Sequence, residues 1–140
     1  MAIDYVVVTF EFERHLKNME YKEALSLYYY ADRPFWLTEE VGRYYERQGL
    51  VSKAMNEYQY LVDHYLGIRP DFLPLPNGPV ELFKLGRWYA KKDKGKARKY
   101  LRLYLSAEDK CGGDSAFYLK YKNEAIKLLN NMKITKNGRQ

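Results

Sequence analysis

The sequence predicts an all-α domain of antiparallel helical hairpins, and three observations predict it. Two stretches can be laid over each other, Val41-Gly42-Arg43-Tyr44-Tyr45 and Leu85-Gly86-Arg87-Trp88-Tyr89. Each is followed by a glycine-containing turn and then by an alanine with a ring or leucine four residues on: Ala54 with Tyr58, Ala97 with Leu101. Self-similarity of this kind marks repeat architectures. The second observation is period: between breaks, apolar residues step by three or four, as on one face of a helix. The third is punctuation, because glycine and proline cut the chain into segments of helical length.

The first segment, near residues 4–18, is the hardest to assign. Tyr5-Val6-Val7-Val8-Thr9-Phe10 is β-branched and aromatic, which suits a strand equally well. It is assigned to helix because no second strand exists to pair with it. The second helix, near 20–31, carries Ala24 and Tyr28 and ends before Asp32-Arg33-Pro34, a turn with proline at the next helix start. The third, near 34–48, places Val41, Tyr44, Tyr45 and Gln48 along one side, with Glu39, Arg43, Glu46 and Arg47 mostly away from it. Gln48-Gly49 reads as its end, since glycine takes the left-handed cap conformation at little steric cost. The fourth, near 51–66, has Ala54, Tyr58, Leu61 and Tyr65 as its stripe. Residues 67–79 hold four of the five prolines and read as a loop. The fifth helix, near 79–92, gives Leu82, Leu85 and Tyr89, and the sixth, near 94–106, gives Ala97, Leu101 and Tyr104. Cys111-Gly112-Gly113-Asp114 is a loop whose Asp114 or Ser115 could cap the last helix, near 115–132. The tail at 133–140 has no periodicity and is expected to fray.

A chain of 140 residues is one domain by size, here residues 1–132. It is 46% hydrophobic and 30% charged, an ordinary globular balance, with 15 tyrosines suited to half-buried faces. No run reaches the roughly 18 apolar residues of a membrane-spanning helix. The opening residues lack the basic lead-in and cleavage site of a signal peptide. One cysteine allows no internal disulfide, which fits a reducing compartment and a cytoplasmic location. The charge is lopsided. Residues 1–70 hold 8 Lys and Arg against 11 Asp and Glu, and residues 71–140 hold 16 against 7. The basic half suggests an acidic partner or plain solubility.

The pattern resembles the tetratricopeptide repeat, whose signature is W-x2-L-G-x2-Y, then A-x3-F, then P. Val41, Gly42, Tyr45, Gly49, Ala54 and Tyr58 stand at the matching places of a second unit, with Thr38 where an aromatic leads. Leu82, Leu85, Gly86, Tyr89, Ala97 and Leu101 match a third, whose turn is one residue short. In the first unit Ala24 and Tyr28 match, but Phe12 and His15 replace Gly and Tyr; Ala125-x3-Leu129 repeats the second half alone. The resemblance covers roughly residues 4–132. It implies a short right-handed superhelix of about three stacked hairpins plus a C-terminal capping helix. The glycines would let neighbouring backbones approach, with Ala54 and Ala97 as their small partners.

The resemblance also implies a concave groove lined by the first helix of each hairpin and holding a peptide or helix of another protein. Its polar contacts would be Arg43, Arg47, Lys84, Arg87 and Lys91, with Trp36 and Phe83 as apolar anchors. Thr9, Glu13, Lys17, Glu39, Glu40 and Glu46 would share that face. Lys84, Arg87 and Lys91 fall at i, i+3 and i+7, and arginine forks favour carboxylates and phosphates. An acidic peptide is therefore the expected ligand of such an adaptor or scaffold, against the plainer reading of a solvated face balanced by nearby glutamates. The lysine–asparagine clamp of the chaperone-binding subfamily is not supported, since Glu39 and Arg43 occupy two of its places. Two other readings stay open. Residues 84–102 hold nine basic residues against Asp93, with Trp88, Tyr89, Tyr100 and Tyr104 among them, as a protein associating with RNA or DNA could; no nucleic-acid motif accompanies them. Tyr28, Tyr29 and Tyr30 in a row cannot all point inward, which leaves room for self-association. His15, His64 and Cys111 have no partners at catalytic or metal-ligand spacing. Enzymatic activity and a cofactor are therefore not expected.

Overall fold

Asp4 starts the first helix. Its carboxylate accepts from the backbone N–H of Val6 at 3.0 Å and Val7 at 3.3 Å, satisfying two donors that a helix start leaves open. That cap decides between helix and strand for residues 5–10, and it is a signal the sequence carries in plain view. The computed structural model describes residues 2–68, 80–111 and 116–137, with side chains over 2–64, 80–107 and 121–132. The described residues form seven helices and no strand: α1 (Tyr5–Lys17), α2 (Tyr21–Tyr30), α3 (Phe35–Arg47), α4 (Val51–Ile68), α5 (Val80–Tyr89), α6 (Lys94–Cys111) and α7 (Ala116–Asn137). None of them is long and apolar enough to cross a membrane.

Three helix ends share one device. At the end of α3, Gly49 takes φ +77°, its N–H donates to Glu46 O, and the N–H of Leu50 donates to Tyr45 O at 2.9 Å. This is the paired bonding of a Schellman cap, which needs a left-handed residue just past the helix. Met19 fills the same place after α1 at φ 60°, with Glu20 N–H reaching His15 O at 2.8 Å. Asp32 does so after α2 at φ 62°, with Arg33 N–H reaching Tyr28 O at 2.9 Å. Neither is glycine, so only Gln48-Gly49 was readable as a cap. Asp93 closes the turn between α5 and α6: its side chain accepts from the N–H of Lys96 at 3.1 Å.

The helix ends differ from expectation in four places. Helix α4 runs through Gly67 to Ile68, taking the first two residues of the expected loop; the rest of that loop, 69–79, lies outside the described residues. Helix α5 stops at Tyr89, so Lys91 sits in a turn and not on a helical stripe with Lys84 and Arg87. The N–H groups of Lys92 and Asp93 both bond Tyr89 O, which closes that helix. Helix α6 continues to Cys111 and α7 to Asn137, through residues expected to be loop and tail. The capping role expected of Asp114 or Ser115 lies outside the described residues.

Backbone contacts divide the chain into two compact units, residues 1–57 and 58–140, with the boundary inside α4. In the first unit, α1 and α2 pack antiparallel, and Val8, Phe12, Ala24, Tyr28, Leu37 and Val41 are buried. Trp36 meets Tyr5 and Thr9 of α1, and Glu40 meets Glu13, so α1 and α3 run side by side in the same direction. In the second unit, α5 and α6 pack antiparallel, with Phe83 against Tyr104 and Tyr89 against Tyr100. Phe83 also meets Tyr121 and Arg87 meets Glu124, so α5 and α7 run in the same direction. Ala24, Tyr28, Ala54, Tyr58, Ala97 and Leu101, the repeat positions of the second helices, are all fully buried.

Gly86 is a true close approach. A Cβ there would stand 2.5 Å from both Cγ and Cδ2 of Leu101, and 3.3 Å from its backbone nitrogen. The partner is therefore Leu101 and not Ala97, one turn away from the expected small residue. Leu101 has no exposed surface and cannot swing aside.

Candidate functional site

The side-by-side first helices of unit one carry a row of polar and aromatic groups. Trp36 Nε1–H donates to Thr9 Oγ1 at 2.8 Å, and the Thr9 hydroxyl donates to Tyr5 O at 2.7 Å. The Tyr5 ring stands edge-on to Trp36 at 5.5 Å, and Phe35 does the same at 5.1 Å. Trp36 is thus held in one orientation while 42% exposed. One turn on, the Glu40 carboxyl is pushed up to about 7 by burial, and then by its hydrogen bond and repulsion with Glu13. Burial and a like-charged neighbour both favour the protonated form of the Glu40 carboxyl. Next comes Arg43, whose Nη2 donates to Glu39 Oε1 at 2.9 Å. Glu39, expected on the solvent side, is buried, because α3 buries a wide arc that includes Leu37, Thr38, Val41, Gly42 and Tyr45. Arg47 is exposed near the end of the helix.

Unit two places the remaining expected contacts as follows. Phe83 has no exposed surface. It lies between α6 and α7, 4.6 Å from the Tyr121 ring and 5.6 Å from the Tyr104 ring. It is a core residue in this conformation and not an anchor for a partner. The reason is that α5 packs on two sides, so Leu82 and Phe83 are both buried. Arg87 covers Phe83, with Cζ 5.1 Å from the ring centroid, and its Nη1 stands 3.9 Å from Glu124. Lys84 Nζ lies 5.3 Å from the Tyr58 ring. Lys91 is exposed in the turn.

Two features escaped the sequence. The first is a polar cluster in the core of unit one. Glu57, almost wholly buried, accepts from Arg33 Nη2 at 3.0 and 3.1 Å and from Tyr29 at 3.1 Å. The Tyr28 hydroxyl is 3.2 Å from Glu57 and 2.8 Å from Thr38, and the Tyr29 hydroxyl is 2.9 Å from that of Tyr45. Burial raises both Tyr28 and Tyr29 far above the usual phenol range. A buried carboxylate with this many donors is a structural tie: it joins α2, the turn after it, α3 and the start of α4. No local signal marks it, since Glu57 and Arg33 are 24 residues apart. The second feature is an open groove of about 570 Å³ between α1 and α2, lined by Val7, Val8, Leu27 and Tyr30 with Glu11 and Lys22 at the rim. Of the three consecutive tyrosines, Tyr28 is buried, Tyr29 half exposed and Tyr30 77% exposed on that groove.

No family model matches the chain, and no curated protein or solved structure matches it either.

Proposed function

We propose that the chain is a tetratricopeptide-like module that binds a segment of another protein along the faces of its first helices. The observation that carries this reading is the parallel pairing of α1 with α3 through Thr9, Glu13, Trp36 and Glu40. Stacked hairpins set their first helices side by side, and side-by-side helices make a continuous face. The same pairing of α5 with α7 supports a repeated unit. The full right-handed superhelix belongs to this proposal. On that face Trp36 is a rigid, half-exposed ring with a fixed orientation, the kind of residue that carries interface energy. Arg43 and Arg47 give that face of unit one a cationic character, and Lys84 and Arg87 on α5, with Lys91 in the turn after it, do the same in unit two; such cations favour an acidic peptide or helix.

The test is a library of Asp- and Glu-rich 12-residue peptides probed with the full chain and two variants. Arg47→Glu with Lys91→Glu reverses two exposed charges, and Trp36→Ala removes the ring. The reading expects selected acidic peptides to lose at least about tenfold in affinity with either variant, as interface anchors do. Peptide binding that survives both variants contradicts it.

A further inference from the structure

Helix α6 has a second side. Ala97, Tyr100, Leu101 and Tyr104 face the core. At 100° per residue, the opposite arc of residues 95–106 holds Lys96, Arg98, Lys99 and Arg102, with Gly95, Ser106 and the half-buried Leu103 between them. Lys96, Lys99 and Arg102 are exposed and Arg98 is half-buried. Lys92 extends the row into the preceding turn. Among the described residues, no carboxylate lies within ion-pair distance of any of these five. Their visible contacts are rings: Lys96 Nζ 5.1 Å from Tyr89, Lys99 Nζ 5.6 Å from Tyr100, and Lys92 over Trp88.

This arrangement does nothing for the helix itself. Cations in the first turn oppose the helix dipole, the first turn holds no acid, and Arg98 and Arg102 are like charges at i, i+4. A balanced, solvated face would alternate signs, and this one does not. The chemistry of the arc also selects the partner. A helix lying on a lipid surface needs an apolar face to insert, and this arc offers only Leu103, which is half-buried. A protein interface needs aromatic or apolar anchors at its centre and is depleted in lysine. A phosphodiester backbone needs only a row of uncompensated cations.

We infer that the outer face of α6, with Lys92 of the adjoining turn, binds the phosphate backbone of nucleic acid without reading its sequence. None of these five residues is among the contacts of the proposed peptide-binding module, so either reading can fail alone. Lys92 and Lys96 hold one end of the row, and Lys99 and Arg102 continue it along the helix. Each phosphate neutralised releases counterion, so three to five contacts on a single strand give a log–log salt slope of about −2 to −3.5.

The test uses the full chain and a fluorescein-labelled 20-residue oligouridylate, with fluorescence anisotropy read from 50 to 200 mM salt. A 20-base-pair DNA duplex, polyglutamate and phosphatidylserine vesicles are run beside it. The inference expects RNA and DNA to bind, with affinity on the single strand falling about 20- to 100-fold across that range. Lys96→Glu with Lys99→Glu and Arg102→Glu should lose at least tenfold at 50 mM salt. Lys17→Glu with Lys22→Glu and Lys53→Glu, an equal change of net charge in unit one, should lose less than threefold. No binding by the wild-type chain at 50 mM salt overturns the inference, as does affinity that ignores salt. Equal losses from both triple variants would assign the effect to net charge alone and overturn it too. Tighter binding to polyglutamate or to the vesicles would overturn the choice of partner. Circular dichroism checks that the variants fold, and the wild-type salt slope decides the matter if one does not.

Discussion

In residues 1–57, three arginines each reach a carboxylate of their own unit: Arg14 at Glu11, Arg33 at Glu57 and Arg43 at Glu39. In residues 58–140, Arg87 comes only to 3.9 Å of Glu124, and the five cations from Lys92 to Arg102 named above reach none among the described residues. The core chemistry differs in the same sense. Unit one closes its interior around a buried carboxylate and three tyrosyl hydroxyls, whereas unit two closes around Phe83, Leu85, Leu101, Tyr104 and a glycine that admits Leu101. Charge in the first region is mostly structural, and charge on α6 is mostly left over. The difference teaches where to look for stability and where to look for partners.

The comparison breaks most visibly at Glu57. Glu57→Ala leaves Arg33 and two tyrosyl hydroxyls without their acceptor, and losing one partner of a buried pair costs about 3–5 kcal/mol. Arg33 is 27% exposed, which places the expected loss near the lower end, about 3 kcal/mol. Urea unfolding checks it, and a loss below about 1 kcal/mol would mean that the cluster is ornamental. Gly86→Ala comes next. Alanine gains about 1 kcal/mol of helix propensity, but its Cβ would meet Leu101 at 2.5 Å where nothing can give. Overpacking costs about 1–3 kcal/mol, so the net expectation is a lower unfolding midpoint. A higher midpoint would deny the close approach.

Met19→Gly sharpens the turn comparison. Met19 is 75% exposed and left-handed, so the substitution removes backbone strain and little packing. A gain of about 0.5–1 kcal/mol is expected after glycine's own entropic cost, again from urea unfolding. A loss would show that the Met19 side chain contributes more than the strain takes away. The smallest effect concerns Glu40. Its carboxyl is raised in the folded state to about 7, so the protonated form is favoured on folding. The folded chain then binds more protons than the unfolded one between the ordinary carboxylate range and about 7. Stability from this group is fully present below the unfolded value and fades as pH rises through about 7. The unfolding midpoint of the wild-type chain should therefore fall more between pH 5 and 8 than that of Glu40→Gln. Parallel pH profiles would remove Glu40 from the account.

Much of the architecture could be read from single residues. Gly49 announced its cap because the left-handed region favours glycine, and the alanines of the second helices announced their burial through their spacing. Met19 makes the same cap silently, since methionine signals no positive φ, and Asp32 makes it with a weaker signal than glycine, since aspartate only tolerates the left-handed region. Gly86 was legible as a close approach but its partner was not, because the depth to which one helix sinks into another is set by side chains on both. Phe83 was misplaced for a related reason: a helix flanked on two sides buries more than one stripe, and one strand of sequence shows only periodicity. Lys91 was misplaced by a helix that closes three residues early, on Tyr89. The Glu57 cluster was invisible, since its members are drawn from four elements. The α6 row, which meets no carboxylate among the described residues, was visible as a count of charges, but only coordinates separate cations that face a carboxylate from those that do not.

The most direct measurement of that separation is the thermal midpoint of the chain carrying Lys96→Glu, Lys99→Glu and Arg102→Glu at 50 mM salt. If the α6 cations are left over from folding, the midpoint stays level or rises, because like-charge repulsion is relieved and acids oppose the helix dipole less. A fall of several degrees with the helical content otherwise intact would show those side chains to be structural, and would contradict the division between the two regions.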